Sequence, residues 1–196
     1  MAHYFDQDPV SPSRTVVVDV ALADVAFTME TDRGVFSHGH VDVGTAVLLR
    51  SAPRPASEGA LLDLGCGSGA IALTLAMRSP GATVWAIDVN QRALELTARN
   101  AERNRLTNVV VAAPDAVPDD VRFATIWSNP PVRIGKRALH ELLVRWLARL
   151  DDGGEAVLVV QKHLGADSLQ HWLSEHGFPT ERIASHAGFR LLRCTR

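Results

Sequence analysis

From residue 60 onward the chain alternates between two kinds of pattern. Short apolar runs at 60–64, 83–87, 108–113, 123–128 and 155–161 have the length of strands buried on both faces, and helical segments lie between them. Strand and helix in alternation predict an α/β fold, Rossmann-like and doubly wound, with a mostly parallel sheet covered on both faces. The clearest helix is predicted over about 136–150: Leu139, Leu142, Leu143, Trp146, Leu147 and Leu150 form one apolar stripe, and Lys136, Arg137, Arg145 and Arg149 occupy the other face. "DDGG" at 151–154 is expected to end it with glycines in the C-cap region. A second helix is predicted over about 91–105 behind Asn90, a good N-cap. Segments 180–186 and 188–194 read as strands joined at Ala187-Gly188, too close for a crossover helix, so at least one is expected to run antiparallel.

The first part of the chain has a different pattern. Residues 15–29 alternate well enough for two short strands around a turn near Ala23-Asp24, a short N-terminal β extension. Residues 31–45 are rich in Gly, His and Asp and read as a loop, with a short helix through 46–52. The Pro/Gly/Ser stretch at 52–59 is the best internal boundary. We read residues 1–196 as a single domain, with 1–52 as hairpin, loop and short helix and 60–196 as the core.

Composition adds mostly exclusions. With 46% hydrophobic and 21% charged residues the chain can bury a real core, and a net charge of −2 gives no overall basic field for RNA or membrane. Cys66 and Cys194 are too few for a disulfide framework. No apolar run approaches the roughly 20 residues needed to span a bilayer, and "MAHYFDQDPV" lacks a signal-peptide pattern. The expectation is a soluble cytoplasmic protein. His38 and His40 share a loop, but nothing supplies further ligands at metal spacing, so no metal is expected.

"ALLDLGCGSGAIALTLA" at 60–76 reads as strand, tight glycine turn and helix. Gly65, Gly67 and Gly69 let the backbone turn sharply, Cys66 between them reads as a small packing residue, and the helix start aims free N–H groups at a ligand. The spacing also fits a dinucleotide fingerprint, with Asp88 about 20 residues on where a ribose-binding acid belongs. Asp63, inside the strand before the glycines, shifts the reading. A carboxylate there would repel a pyrophosphate and attract a cation, as in S-adenosylmethionine, which has a cation, a ribose and an adenine but no phosphate. Asp88, with Val89 beside it, would then take the ribose hydroxyls, and Asp115 could reach an adenine amine or be an exposed turn residue.

After the strand 123–128 come Asn129, Pro130 and Pro131. An exocyclic amine or an amide nitrogen has a delocalised lone pair and must pyramidalise to attack a methyl group. Two acceptors that hold its two N–H bonds favour this, and Asn129 Oδ1 with the Pro130 carbonyl could supply them. The prolines stiffen the turn and remove competing donors. Arg133 and Lys136 follow at once, placed to hold phosphates beside a target nucleotide, or simply solvated.

"LLDLGCGSGAI", "DVNQRALELTARN" and "NPPVRIGK", with "GVFSHGHVDVGT" at 34–45, "VVQKHLGADSL" at 159–169 and "GFRLLR" at 188–193, together resemble the RsmC-type ribosomal RNA guanine-N2 methyltransferases, class I enzymes that use S-adenosylmethionine. The resemblance runs from "HYFD" at 3–6 to the end. It implies a seven-stranded sheet with the last strand inserted antiparallel, and pocket-closing roles for Phe36, Ser37, Asp42 and Thr45. Larger members of that family carry an additional N-terminal domain that has no counterpart here. Val132 stands where many relatives in the wider Asn-Pro-Pro group have an aromatic, so Phe36 becomes the candidate for stacking a flipped base.

The resulting expectation is an N-methyltransferase acting on a guanine N2 amine in small-subunit ribosomal RNA, with ribosomal RNA or the small subunit as partner. The rivals are a methyltransferase for a protein glutamine amide or a small metabolite, and a cofactor-binding module without catalysis.

Overall fold

The computed structural model describes residues 14–35 and 37–196. Phe36 and the segment 3–6 of the resemblance lie outside the described residues. An antiparallel hairpin, β1 (Thr15–Ala21) and β2 (Ala26–Asp32), precedes the main sheet. Helix α1 (Val43–Ser51) follows, then β3 (Ala60–Leu64), α2 (Ala70–Arg78), β4 (Thr83–Ile87), α3 (Gln91–Arg103), β5 (Val109–Ala112) and β6 (Phe123–Ser128). The chain closes with α4 (Lys136–Leu147), β7 (Leu150–Gln161), α5 (Ala166–Glu175), β8 (Thr180–His186) and β9 (Phe189–Thr195). None of these helices is long and apolar enough to cross a membrane.

The main sheet has seven strands in the order β5-β4-β3-β6-β7-β9-β8. β9, last in sequence, is inserted antiparallel between β7 and β8, and the pairs from β5 to β7 are parallel. Neighbouring residues face opposite sides, and both sides are buried. Leu61, Trp127, Val157 and Leu191 pack with α1, α2 and α3, while Leu62, Ile126, Leu158 and Leu192 pack with α4 and α5. Two-sided burial explains why these strands read as continuous apolar runs and not as alternation.

The larger departures from the sequence reading lie at three places. β2 continues to Asp32, and α1 starts at Val43, capped by Asp42, so the loop between them is shorter than predicted. Helix α4 stops at Leu147, and "DDGG" lies within β7. Leu150 continues the helical spacing, but it pairs with Phe123 as strand; the register then slips, so that residues 151–154 bulge out before Glu155 meets Thr125. Gly154 is required there, since a Cβ would stand 2.7 Å from the Phe123 carbonyl oxygen.

The hairpin is fastened to the core by two amides one helical turn apart, Asn100 on α3 and Asn104 at its C-cap. Asn100 accepts from Glu30 N at 2.7 Å and donates to Glu30 O at 2.9 Å. Asn104 does the same for Thr28, at 3.3 and 2.8 Å. The two side chains thus satisfy the edge of β2 that β1 leaves open. Asn100 also donates to Ser68 O at 2.9 Å, inside the glycine turn. Replacing Asn100 by Ala should cost about 2 kcal/mol or more, because buried backbone groups lose their partners, a fall of roughly 4–8 °C in the thermal midpoint. An unchanged midpoint would show that α3 does not secure the hairpin.

Candidate active site

β3 ends in a turn that runs in the left-handed region at Gly65 (φ 81°) and Gly67 (φ 54°). Gly65 N and Cys66 N both donate to Ile87 O at 2.9 Å, which locks the turn to the end of β4. Asp88 faces it: Oδ2 accepts from Gly67 N at 3.0 Å and Oδ1 from Asn90 N at 2.9 Å. Among the described residues nothing lies within 4 Å of a Cβ placed on Gly65, so that backbone is open to a ligand. Gly69 has another role. It starts α2, and an added Cβ would meet Thr97 of α3 at 3.0 Å.

Asp63 lies beneath this turn, fully buried. Its Oδ2 accepts from Ala72 N at 2.9 Å and so caps α2, whose N-cap residue Gly69 has no side chain to do this. Oδ1 has no partner among the described residues. Burial, with a smaller contribution from the charge of Asp88, pushes the Asp63 carboxyl up to about 8. Asp88 is also raised by burial, against the pull of the Asn90 and Gly67 N–H groups. Burial likewise raises the Cys66 thiol, which suits a packing residue and not a nucleophile.

Across the cavity, Ser128 Oγ donates to Leu64 O at 2.7 Å and ties the end of β6 to the end of β3. Asn129 follows. Its Nδ2 donates to Asp42 Oδ2 at 2.8 Å and to Thr45 Oγ1 at 3.0 Å. Both amide hydrogens are therefore committed, and Oδ1 is left as an acceptor. The Pro130 carbonyl accepts from Val132 N at 2.8 Å across Pro131 (φ −75°, ψ 69°), an inverse γ-turn. That bond uses one of its two lone pairs.

One cavity of about 350 Å³ joins the two halves, at the small end of the usual range for small-molecule sites. Of the residues singled out from sequence, it is lined by Gly65, Gly67, Asp88, Val89, Asn129, Pro130, Pro131, Val132 and Arg133, and also by Asp42. The others do not reach it. Asp63 and Gly69 sit below or behind the turn, while Cys66 and Thr45 line a smaller cavity of about 50 Å³ together with Asp42, Gly65, Gly67 and Asn129. Ser37 forms no part of the wall. Lys136 is exposed at the start of α4. The Asp115 side chain is 90% exposed and paired with Arg145 at 2.8 Å, although its neighbour Pro114 lines the cavity. Phe36 lies outside the described residues.

Further wall residues were not singled out: Val35 and Asn90 at the Asp88 end, and Gln161, Leu164 and Phe189 at the Asn129 end. Phe189 and Gln161 lie in segments 188–194 and 155–161, which the pattern reads as strands without marking either residue for the site. The Asp42-to-Asn129 bond spans 87 residues, and no local pattern announces it.

The donor set decides what fits. A pyrophosphate would need the free N–H groups at the start of α2, but Asp63 already holds one of them. Two buried carboxylates with raised proton affinity suit hydroxyl donors and a positive charge instead. The residues present therefore fit S-adenosylmethionine, which Asp88, Val89, Gly65 and Gly67 would hold.

The Asp63 carboxyl also makes stability depend on pH. The unfolded chain loses this proton near 3.8, whereas the folded chain keeps it up to about 8. Stability should therefore fall as pH rises through this window and level off above it. Asp63→Asn removes the ionisation but retains an acceptor for Ala72 N. In thermal melts without cofactor, the parent should lose about 4 °C or more relative to Asp63→Asn between about pH 5 and 9. Parallel curves would refute the buried charge.

Comparison with known proteins agrees with this geometry. The family model described as "Methyltransferase small domain" matches residues 26–193. The chain is similar to a Bacillus subtilis (strain 168) protein named "Uncharacterized protein YbxB", 36% identical over 197 residues, covering 99% of this chain and 98% of that protein. It is also similar to the ribosomal RNA small subunit methyltransferase C of Aeromonas hydrophila, 35% identical over 172 residues, covering 86% of this chain and 49% of that protein. Among solved structures it matches the T. thermophilus 16S rRNA N2 G1207 methyltransferase (RsmC) in complex with AdoMet and guanosine, with a TM-score of 0.75, 26% identity and coverage of 96% of this chain and 52% of that one. The chain thus spans about half the length of the methyltransferase C relatives it matches. It belongs to the methyltransferase small domain family, as an RsmC-type class I methyltransferase that uses S-adenosylmethionine.

Proposed function

We propose that this enzyme methylates the exocyclic N2 amine of a guanine in small-subunit ribosomal RNA. One observation carries the reading: Asn129 Nδ2 is bonded to both Asp42 and Thr45, so its Oδ1 can only accept. When bound, S-adenosylmethionine supplies a methyl group on a positively charged sulfur. The remaining work falls to the chain's own groups.

Asn129 Oδ1 and the free lone pair of the Pro130 carbonyl would each take one N–H of the guanine amine. That fixes the amine and turns its lone pair out of conjugation with the ring. Pro130 and Pro131 have no N–H to compete for these acceptors. No general base is required, since the methylated ammonium is acidic enough to lose its proton to water. Val132 cannot stack a base; among the described residues Phe189, at the same end of the cavity, is an aromatic placed for that. Arg133 lines the cavity with no ion-pair partner among the described residues, which suits a phosphate or a guanine acceptor edge.

Val132 and the near-neutral net charge favour a second reading, a protein glutamine amide as acceptor. Mass mapping of ribosomal RNA from cells with and without the gene separates the two. One guanine should be lighter by one methyl group in the deletion, and a methyl group missing from a protein instead would sink the RNA assignment.

Two variants test the roles of the residues. Asn129→Ala should lower kcat by about 100-fold or more, the usual effect of losing a preorganised polar contact, while cofactor affinity in calorimetry stays within a few-fold. Equal loss of both would remove the amine-orienting role. Asp88→Ala should do the reverse, weakening cofactor binding by about 1–3 kcal/mol and leaving turnover at saturating cofactor largely intact. Unchanged affinity would exclude Asp88 from the cofactor site.

A further inference from the structure

On the outer surface, on the far side of α4 from the cavity, α4 and α5 enclose a shallow cleft. Val144 and Trp172 form its apolar floor, and Lys136, Arg137 and Arg145 stand along its rim. His140, Trp172 and His176 stack as three successive rings. The His140 and Trp172 centroids are 3.5 Å apart at 20°, and those of Trp172 and His176 are 4.2 Å apart at 26°. His176 is exposed, and its Nδ1 is 2.8 Å from the Trp172 carbonyl oxygen. Core packing does not require this stack. Leu139, Leu143, Trp146, Leu169 and Leu173 attach the two helices to the sheet, and Trp172 is only partly buried at the margin.

The charges are as pointed as the rings. Acids near the cleft have partners of their own: Glu141 pairs with Arg137 at 3.6 Å, Asp115 with Arg145 at 2.8 Å, and Glu175 lies 3.1 Å from His171. Lys136 and Arg133 are in surplus, with no ion pair among the described residues. The Arg137 side chain is 93% exposed. An ion pair so exposed is worth little, so its guanidinium is available to another anion. The same helix, α4, carries both the cleft and one wall of the active site. Leu142 and Trp146 face the cavity from one side of that helix, and His140 and Val144 face the cleft from the other.

Cations interleaved with stacked rings suit a sugar-phosphate chain with unpaired bases. We propose that this cleft docks the single-stranded RNA next to the target nucleotide. Lys136, Arg137 and Arg145 hold its phosphates, and the outer end of the His140–Trp172–His176 stack receives a base. This rests on the RNA reading above and adds to it the path of the strand outside the cavity. Such contacts position the substrate without reading its sequence, which leaves selection of the guanine to the cavity.

The test uses the double variant Arg137→Glu with His176→Ala, both exposed positions, and separately Trp172→Ala with Trp172→Phe as the ring-retaining control. Methylation of a ribosomal RNA fragment and of free guanosine is followed across salt concentrations, with cofactor affinity measured by calorimetry. The expected result is a KM for the fragment at least tenfold higher in the double variant and in Trp172→Ala. In the double variant its salt dependence should be shallower by roughly 0.7 for each phosphate no longer held. The rate on guanosine, kcat at saturating RNA and cofactor affinity should be unchanged, with Trp172→Phe close to the parent. A parent active on RNA whose variants keep the same KM overturns the cleft alone, as does an equal loss on fragment and guanosine. A parent that methylates a protein and no RNA overturns the RNA reading, and the cleft with it.

Discussion

A single oxygen, Asp42 Oδ2, accepts from Thr45 N at 3.0 Å and from Asn129 Nδ2 at 2.8 Å. The first bond starts α1, and the second sets the polarity of the active site. An amide presents a donor or an acceptor according to which way it is turned, and the two ends have nearly the same shape. A carboxylate behind the amide can only accept, so it selects the NH₂ end, and Thr45 Oγ1 takes the other hydrogen. The acceptor needed to hold an amine is thus created by a loop that precedes the core in sequence. The Ser128 bond to Leu64 O fixes the distance from that acceptor to the cofactor turn, since it joins the ends of the two strands from which they project.

The electrostatics of the other half follow the same economy. Sheet order reverses direction between β3 and β6, and the crevice outside the strand ends at such a point is where doubly wound folds bind ligands. Many of them present free N–H groups to a phosphate at that place. Here Asp63 and Asp88 accept from Ala72 N and Gly67 N. The turn is thereby converted from an anion site into one lined with acceptors, and both acids hold their protons more tightly than in water. Hydroxyl donors and a positive ligand relieve that cost, whereas a phosphate would add to it.

Local patterns carried the strands well. β3, β4 and β6 match their predicted bounds, because burial on both faces leaves an unbroken apolar run with polar punctuation at each end. The end of α4 was illegible for a specific reason. Leu150 satisfies helical spacing and is fully buried in either structure, and only its pairing with Phe123 decides between them. The site divides along the same line. Gly65, Gly67, Asp88 and Asn129 stand at strand ends that the pattern locates. Asp115 stands at such an end too, but its side chain turns outward to Arg145, and no spacing rule encodes that direction. Asn100 reads as one polar residue on an amphipathic helix, yet it is fully buried and bonded to residues 70 and 32 positions away.

Those long-range bonds tie the hairpin to the active site. Asn100 joins Glu30 of the hairpin to Ser68 of the cofactor turn. Two residues beyond Glu30, the buried Asp32 accepts from Gly34 N at 2.9 Å, and Asn90 Nδ2 donates to Gly34 O at 3.2 Å. Asn90 is in turn held through its backbone by Asp88. Val35, packed on Ala93 and Leu96 of α3, is thereby set against the cavity beside the acid expected to bind ribose. The hairpin is thus joined to the glycine turn through Asn100, and to Asp88 through Gly34 and Asn90.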